Sequence, residues 1–229
     1  MTAITAITAQ NTTAVTAVFA LPPEAIVEQV RAVADDIGVD AVKIGMLGNA
    51  ETIEAVNRAL DLVADAPVVL DPVMVAESGA RLLDKGAIES LRRLLAPRVA
   101  VMTPNAAEAA VLAEREPEAD PTELARAVQA LGPDAVVVTG GHREDATDIF
   151  FDGERLVEIP GERHPEGAGH GSGCTHSSAL AARLAFGDDP LDAARAAKRI
   201  ASEAVRDGLR GLGSGAGPVD ALAVARALP

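Results

Sequence analysis

The sequence predicts an α/β fold: a mostly parallel central sheet flanked by helices on both faces, with one antiparallel hairpin. Three observations carry this. Short Val- and Ile-rich runs alternate with longer amphipathic ones, the pattern of βα units. Each short run ends in a polar or glycine-bearing turn. Between residues 148 and 159 the pattern switches to two short apolar runs around Asp152-Gly153, which reads as a hairpin with a type I′ turn.

The spacing predicts strands at residues 41–45, 67–71, 98–103 and 135–139. Helices are expected at 22–36, 51–64, 85–95, 106–113, 122–131, 174–186, 190–209 and 220–228. The first of these opens on proline, and Ile26, Val30 and Val33 then recur at helical spacing. No repeat, low-complexity tract or linker divides the chain, so residues 1–229 are expected to form a single domain.

Composition narrows the function classes. With no Trp or Tyr and only 4 Phe, the core must be aliphatic. The net charge of −14 is spread along the chain and repels phosphate backbones, which argues against nucleic-acid binding. Lysine is confined to Lys43, Lys85 and Lys198. No apolar run reaches the roughly 18–20 residues of a membrane span. The first residues carry no charge and no compact apolar segment of a signal peptide. A single cysteine excludes an intramolecular disulfide and fits a reducing compartment, so the expected location is cytoplasmic.

In open α/β sheets ligands sit beyond the carboxyl ends of the strands. The residues there read Gly45-Met46, Asp71-Pro72-Val73, Thr103-Pro104-Asn105 and Thr139-Gly140-Gly141. The most informative segment is Gly169-His170-Gly171-Ser172-Gly173-Cys174-Thr175, which runs into a helix of small residues. Its glycines let successive amides turn toward one point, and the helix adds its positive end. The result is either an anion nest for a phosphoryl group or a flexible glycine turn. Cys174, at that helix start, is either a small buried hydrophobe or a thiol whose pKa the helix lowers, able to take a proton from an attacking hydroxyl. Zinc is excluded by the lack of a second cysteine and of paired histidine spacing. Asn105 and Glu108, three apart at a helix start, either form a capping box or hold Mg²⁺ through waters. Asp71 is either a turn former before Pro72 or a metal partner, and Gly140-Gly141 either a turn or a close approach for a nucleotide.

Taken together and in this order, the segments resemble the hydroxymethylpyrimidine/phosphomethylpyrimidine kinases of thiamine biosynthesis, in the ribokinase-like superfamily. The matching pieces are residues 8–12, Lys43-Ile44-Gly45-Met46-Leu47, Asp71-Pro72-Val73-Met74, residues 103–108, Gly140-Gly141-His142, Gly171-Ser172-Gly173-Cys174-Thr175 and residues 213–220. The cysteine is telling, since many sugar kinases of the superfamily place an aspartate there. The resemblance implies MgATP-dependent phosphorylation of 4-amino-5-hydroxymethyl-2-methylpyrimidine and then of its monophosphate, in one site. Gln10 would bond the aminopyrimidine edge, with Met46 and Val73 against its ring. Gly171, Ser172 and Gly173 would form the anion hole, with Cys174 as base. Asn105 and Glu108 would serve Mg²⁺, with Asp71 near it. Thr139, Gly140, Gly141 and Lys198 would lie near ATP. The family also implies a homodimer.

Three departures from the family pattern stand out. Thr139 replaces a usual lysine, and Ser172 a usual threonine. The chain also starts where the family is already at its second strand, so a first strand, a Gly-rich loop and an aspartate are expected upstream. Two other readings remain beside the leading one: a pyridoxal or pyridoxine kinase of the same superfamily, and a non-catalytic module that binds the pyrimidine.

Overall fold

A computed structural model describes residues 1–75, 79, 82–116, 118–141 and 145–222. His142 and most of the helix expected at 220–228 lie outside the described residues. Alternating apolar side chains on short strands build a six-stranded sheet in the order β3 (Val42–Ile44), β4 (Val68–Leu70), β5 (Val101–Met102), β6 (Ala135–Val138), β7 (Asp148–Phe151), β8 (Leu156–Ile159). Pairing is parallel from β3 to β6 and antiparallel from β6 to β8. The order follows the chain, as right-handed βα crossovers between neighbours require.

Because side chains alternate across a strand, the sheet feeds two cores. Val68, Leu70, Met102, Val136, Val138 and Phe151 face one way, against α2 (Ala50–Ala59), α4 (Ala106–Ala113) and α5 (Pro121–Gln129). Val69, Val101, Val137 and Phe150 face the other way, against α6 (Ser172–Ala185) and α7 (Pro190–Arg206). Helices thus cover both faces, as the sequence predicts. Two further helices complete the set, α1 (Pro23–Asp36) and α3 (Lys85–Ser90).

Several local expectations shift. The helix expected at 85–95 is α-helical only to Ser90. It widens into a π turn over Leu91–Leu95, with Ala96 N–H reaching back to the Leu91 carbonyl. Pro97 explains this, since it offers no N–H and crowds the preceding turn. Arg98 belongs to the 3₁₀ turn Ala96–Arg98 rather than to β5, and its guanidinium bonds Asn57 and Asp61. The hairpin at 148–159 is present, but its turn is not type I′. Phe151 pairs with Leu156, leaving a four-residue connection in which the Asp152 carboxylate accepts the N–H groups of Glu154 and Arg155. Gly153 has φ +92° while Asp152 stays out of the left-handed region, whereas a type I′ turn needs both there.

The element that the sequence pattern missed is a separate antiparallel hairpin, β1 (Ala6–Gln10) with β2 (Val15–Ala20). Thr5 Oγ1 donates to the Met46 carbonyl at 2.8 Å, and Thr12 Oγ1 accepts from Gly215 N–H at 3.3 Å. These contacts lay the hairpin across the carboxyl end of the sheet. Among the described residues, no helix is long and apolar enough to cross a membrane.

Candidate active site

The strand ends place four ionisable groups around one point. Asp71 follows β4 directly and is buried. Its Oδ2 accepts from Ser177 Oγ on α6 at 3.2 Å and lies 3.9 Å from Lys43 Nζ on β3. A methyl group at Gly173 would sit 3.8 Å from that same oxygen, so the first turn of α6 closes directly over Asp71.

That first turn begins one residue pair earlier than expected, at Ser172. Gly171 caps it with φ 90° and ψ 7°, a left-handed conformation that glycine adopts without penalty. Ser172 N–H turns back to the Gly169 carbonyl, and the first helical bond runs from Thr175 N–H to the Gly171 carbonyl at 2.9 Å. The amides of Gly173 and Cys174 therefore belong to the group that a helix start leaves without partners along the helix. The Ser172 amide is taken up by Gly169, so of the expected Gly171–Gly173 nest the amides available at this helix start are those of Gly173 and its neighbour Cys174.

Cys174 is open to solvent. The protein packed around its sulfur nevertheless pushes the thiol pKa up; Lys43 pulls it down, while Asp71 and Glu108 add to the rise. The expectation that the helix start alone would lower this pKa is thus reversed by the neighbouring carboxylates and by packing. Lys43 is the one group beside the sulfur that favours the thiolate. It was part of a matched motif without a role of its own. The signal was there: a lysine inside a Val-Ile strand of a two-sided sheet needs a partner.

Asn105 and Glu108 do form a capping box at the start of α4. Asn105 Oδ1 accepts from Glu108 N–H at 2.9 Å, and Glu108 Oε2 accepts from Asn105 N–H at 3.0 Å. Glu108 does more than cap, because its Oε1 also accepts from Met74 N–H at 3.2 Å, tying the loop after β4 to α4. Burial, then the charge of Asp71, push its pKa up to about 7, against the two amides that pull it down. Asp71 is raised as well, chiefly by burial, with Lys43 opposing. Two carboxylates in a partly dry space, both held above their usual range, are a donor set that a divalent cation would relieve. Among the described residues no three His, Cys, Asp or Glu side chains converge as a preformed metal cage.

Gln10, at the end of β1, reaches over the nest: its Nε2 lies 3.4 Å from His170 Nε2. Met46 and Val73 follow β3 and β4 on the same rim, both half-buried. Thr139 follows β6, its N–H bonded to the Pro104 carbonyl beside Asn105. Gly140 is required by packing, since a Cβ there would lie 1.9 Å from the Thr147 carbonyl, while Gly141 faces open space. Lys198 donates through its ammonium to Asp148 Oδ1 at 2.6 Å. It also lines a cleft of about 360 Å³ with Ile159, Gly161, His164, Arg195 and Arg199.

An open α/β sheet with a glycine nest, a thiol and two carboxylates at its carboxyl end defines a phosphotransferase of the ribokinase-like class. The comparisons with known proteins agree. Residues 1–220 match the family model described as phosphomethylpyrimidine kinase. The hydroxymethylpyrimidine/phosphomethylpyrimidine kinase of Rhizobium meliloti is 46% identical over 222 residues, covering 94% of this chain and 83% of that one. Its counterpart from Bacillus subtilis is 40% identical, covering 99% and 85%. Among solved structures, the ADP complex of Bacillus subtilis pyridoxal kinase superposes with a TM-score of 0.88 at 33% identity, covering 98% of this chain and 87% of that one. The phosphomethylpyrimidine kinase of Clostridium difficile gives 0.77 at 34% identity, covering 90% and 86%. The chain belongs to the phosphomethylpyrimidine kinase family.

Proposed function

We propose that this chain phosphorylates 4-amino-5-hydroxymethyl-2-methylpyrimidine with MgATP and then phosphorylates the monophosphate to the diphosphate, as a step of thiamine biosynthesis in the cytoplasm. The observation that carries this reading is the convergence of Cys174, the Gly171–Gly173 nest, Asp71 and Lys43 at the carboxyl end of the sheet. Sequence likeness favours the pyrimidine: relatives named for it reach 40–46% identity. Among the solved structures the pyridoxal kinases stand at 30–33% and the phosphomethylpyrimidine kinase at 34%.

In this reading Gln10 bonds the aminopyrimidine edge, with Met46 and Val73 against the ring, which aims the hydroxymethyl oxygen at the nest. The Cys174 thiolate, favoured by Lys43, takes the hydroxyl proton as that oxygen bonds to the γ-phosphorus of ATP. The bond from phosphorus to the β-phosphate bridging oxygen breaks, and ADP leaves. The Gly173 and Cys174 amides stabilise the charge on the phosphoryl group in flight. Glu108 and Asp71 would hold Mg²⁺ through waters, with Asn105 fixing Glu108; the ion supplies charge neutralisation on the phosphates. The cleft beside Lys198, with three arginines on its wall, suits the nucleotide, and Gly140 is linked to it through Asp148, which bonds both Gly140 and Lys198. In the second phosphorylation the acceptor is a phosphate oxygen already largely ionised at neutral pH, so no base is needed.

A homodimer fits the first hairpin. Ile7 and Phe19 are cross-strand partners on it, 58% and 61% exposed. A two-stranded sheet has little stability uncovered, and a second copy would cover it. The deciding experiment measures ADP formation with the pyrimidine and with pyridoxal in parallel. A higher kcat/KM for the pyrimidine is expected. Preference for pyridoxal would move the assignment to that ring. Calorimetric binding of the pyrimidine with no ADP formed would make the protein a binding module.

A further inference from the structure

Away from Cys174, one carboxylate gathers groups from three separate segments. Asp148 opens β7 and is 1% exposed. Its Oδ1 accepts from Gly140 N–H, just beyond β6, at 2.7 Å and from Lys198 Nζ on α7 at 2.6 Å. Its Oδ2 faces Nε2 of His176, two residues past Cys174 on α6, at 3.5 Å. Beyond that contact, neither Oδ2 nor the ring nitrogens of the buried His176 have a hydrogen-bond partner among the described residues. Burial works against the charged form of Asp148, yet His176, Lys198 and the Gly140 amide outweigh it and hold the carboxyl below its usual range.

The surroundings fix these groups closely. Only glycine at position 140 lets the amide reach Asp148, because a Cβ would collide with the Thr147 carbonyl. The Lys198 stem is confined too: a Cβ at Gly161 would come within 2.4 Å of its Cε. The ammonium therefore sits between Asp148 and the wall of the 360 Å³ cleft rather than sweeping through solvent. A buried ion pair is costly to desolvate and gives little net stability against a well-packed apolar alternative. A role in holding the site is the stronger account.

We propose that Asp148 is a positioning residue for phosphoryl transfer, one buried carboxylate that sets Lys198 at the wall of the cleft, fixes the Gly140 amide, and through His176 ties both to the helix that carries Cys174. This rests on the kinase reading above, with the nucleotide in that cleft. Asp148 touches neither substrate; it acts through Lys198 and the strand end.

The test compares Asp148→Asn, Lys198→Met and the double variant by steady-state kinetics. Asp148→Asn is expected to raise the KM for ATP about tenfold while leaving the KM for the pyrimidine within about twofold. The double variant should fall short of the product of the two single effects, because the part of the Asp148 effect that passes through Lys198 is already lost in Lys198→Met. A merely structural role would lower the melting temperature and leave the ATP KM alone. An unchanged ATP KM in Asp148→Asn, or effects that multiply in the double variant, overturns the proposal. If Asp148→Asn does not fold, Asp148→Glu replaces it: the charge is kept but displaced by one methylene, and an unchanged ATP KM there is equally fatal. ADP affinity by calorimetry should fall by the same factor. A wild-type protein that binds ADP but phosphorylates no pyrimidine would therefore refute the proposed function and leave this inference to be judged on the ADP affinities alone.

Discussion

Glu108 carries a stability cost that can be measured without substrate. Its folded-state pKa is about 7 against 4.5 in the unfolded chain. Between those values the folded protein binds more protons than the unfolded one, so stability falls as pH rises through the window. Below pH 4.5 both states are protonated and nothing is lost; above about 7 the loss is complete. Each tenfold change in proton affinity is worth about 1.4 kcal/mol, which caps the effect at about 3 kcal/mol. Glu108→Gln is neutral throughout and lacks this slope. It also turns one acceptor oxygen into an NH₂ facing the N–H of Met74 or Asn105, which costs about 1 kcal/mol. The two stability curves should therefore cross near pH 5: the variant is weaker below that and stronger near pH 8, there by about 2 kcal/mol. For a chain this size that is a shift of roughly 4–8 °C in melting temperature. Asp71, also raised, is common to both proteins and does not produce the crossing. The assay is thermal unfolding in EDTA-containing buffer at several pH values from 4 to 8. Curves that run parallel would refute the account and return Glu108 to simple capping.

Other perturbations read other parts of the site. Cys174→Ala should cut turnover on the hydroxymethylpyrimidine by about two to four powers of ten. Turnover on its monophosphate should suffer far less, because that acceptor has no proton to give up; rapid-quench measurement of each step separates the two, and equal losses would deny Cys174 the role of base. Gln10→Ala should raise the KM for the pyrimidine at least about tenfold with little change for ATP, since an unpaired polar edge is strongly disfavoured; equal changes in both would assign Gln10 to holding the hairpin against His170. Thr139→Lys should lower the KM for ATP by roughly five- to tenfold if a cation there meets the phosphates; an unchanged value would mean the arginine-lined cleft already meets that need.

What the sequence revealed and what it hid follow from range. Parallel strands buried on both faces are short continuous apolar runs, so β4 and β6 stood out, and α4 matched its predicted limits because Asn105 and Glu108 mark its start. The first hairpin stayed hidden because Ala6–Gln10 and Val15–Ala20 mix small and polar residues with a few apolar ones and have no core beneath them. The turn at Asp152 was misread because Asp-Gly signals a two-residue turn, whereas the Asp152 carboxylate captures the two amides that follow Gly153 and lengthens the connection. Motif neighbours singled out the glycine segment, Cys174, Asp71 and Glu108, and the structure brings the last three into one neighbourhood. Asp148 and His176 were not singled out, because their meaning lies in partners 28 to 50 residues away, and no local pattern encodes such a meeting.

The charge balance of the crevice links these observations. Lys43 is one ammonium beside Asp71 and the Cys174 thiol, and Glu108 adds a second carboxylate charge to the same space. Burial is the first reason all three sit above their usual range; Lys43 opposes it at Asp71 and Cys174, while neighbouring carboxylate charge adds to it at Glu108 and Cys174. The resting site is thus short of positive charge, and the wider protein, at −14, does not supply it. A nucleotide arriving with its divalent cation would neutralise the carboxylates first and leave Lys43 to the sulfur. Thiolate formation would then follow nucleotide binding rather than precede it. In that order the base becomes competent only when a phosphoryl donor is in place. Alkylation of Cys174 by iodoacetamide should reveal this as a downward shift of its pH profile when MgADP is bound, against the free protein. A profile that moves upward, or stays where it is, would show that the added phosphates outweigh the metal and that Cys174 must be activated by some other group.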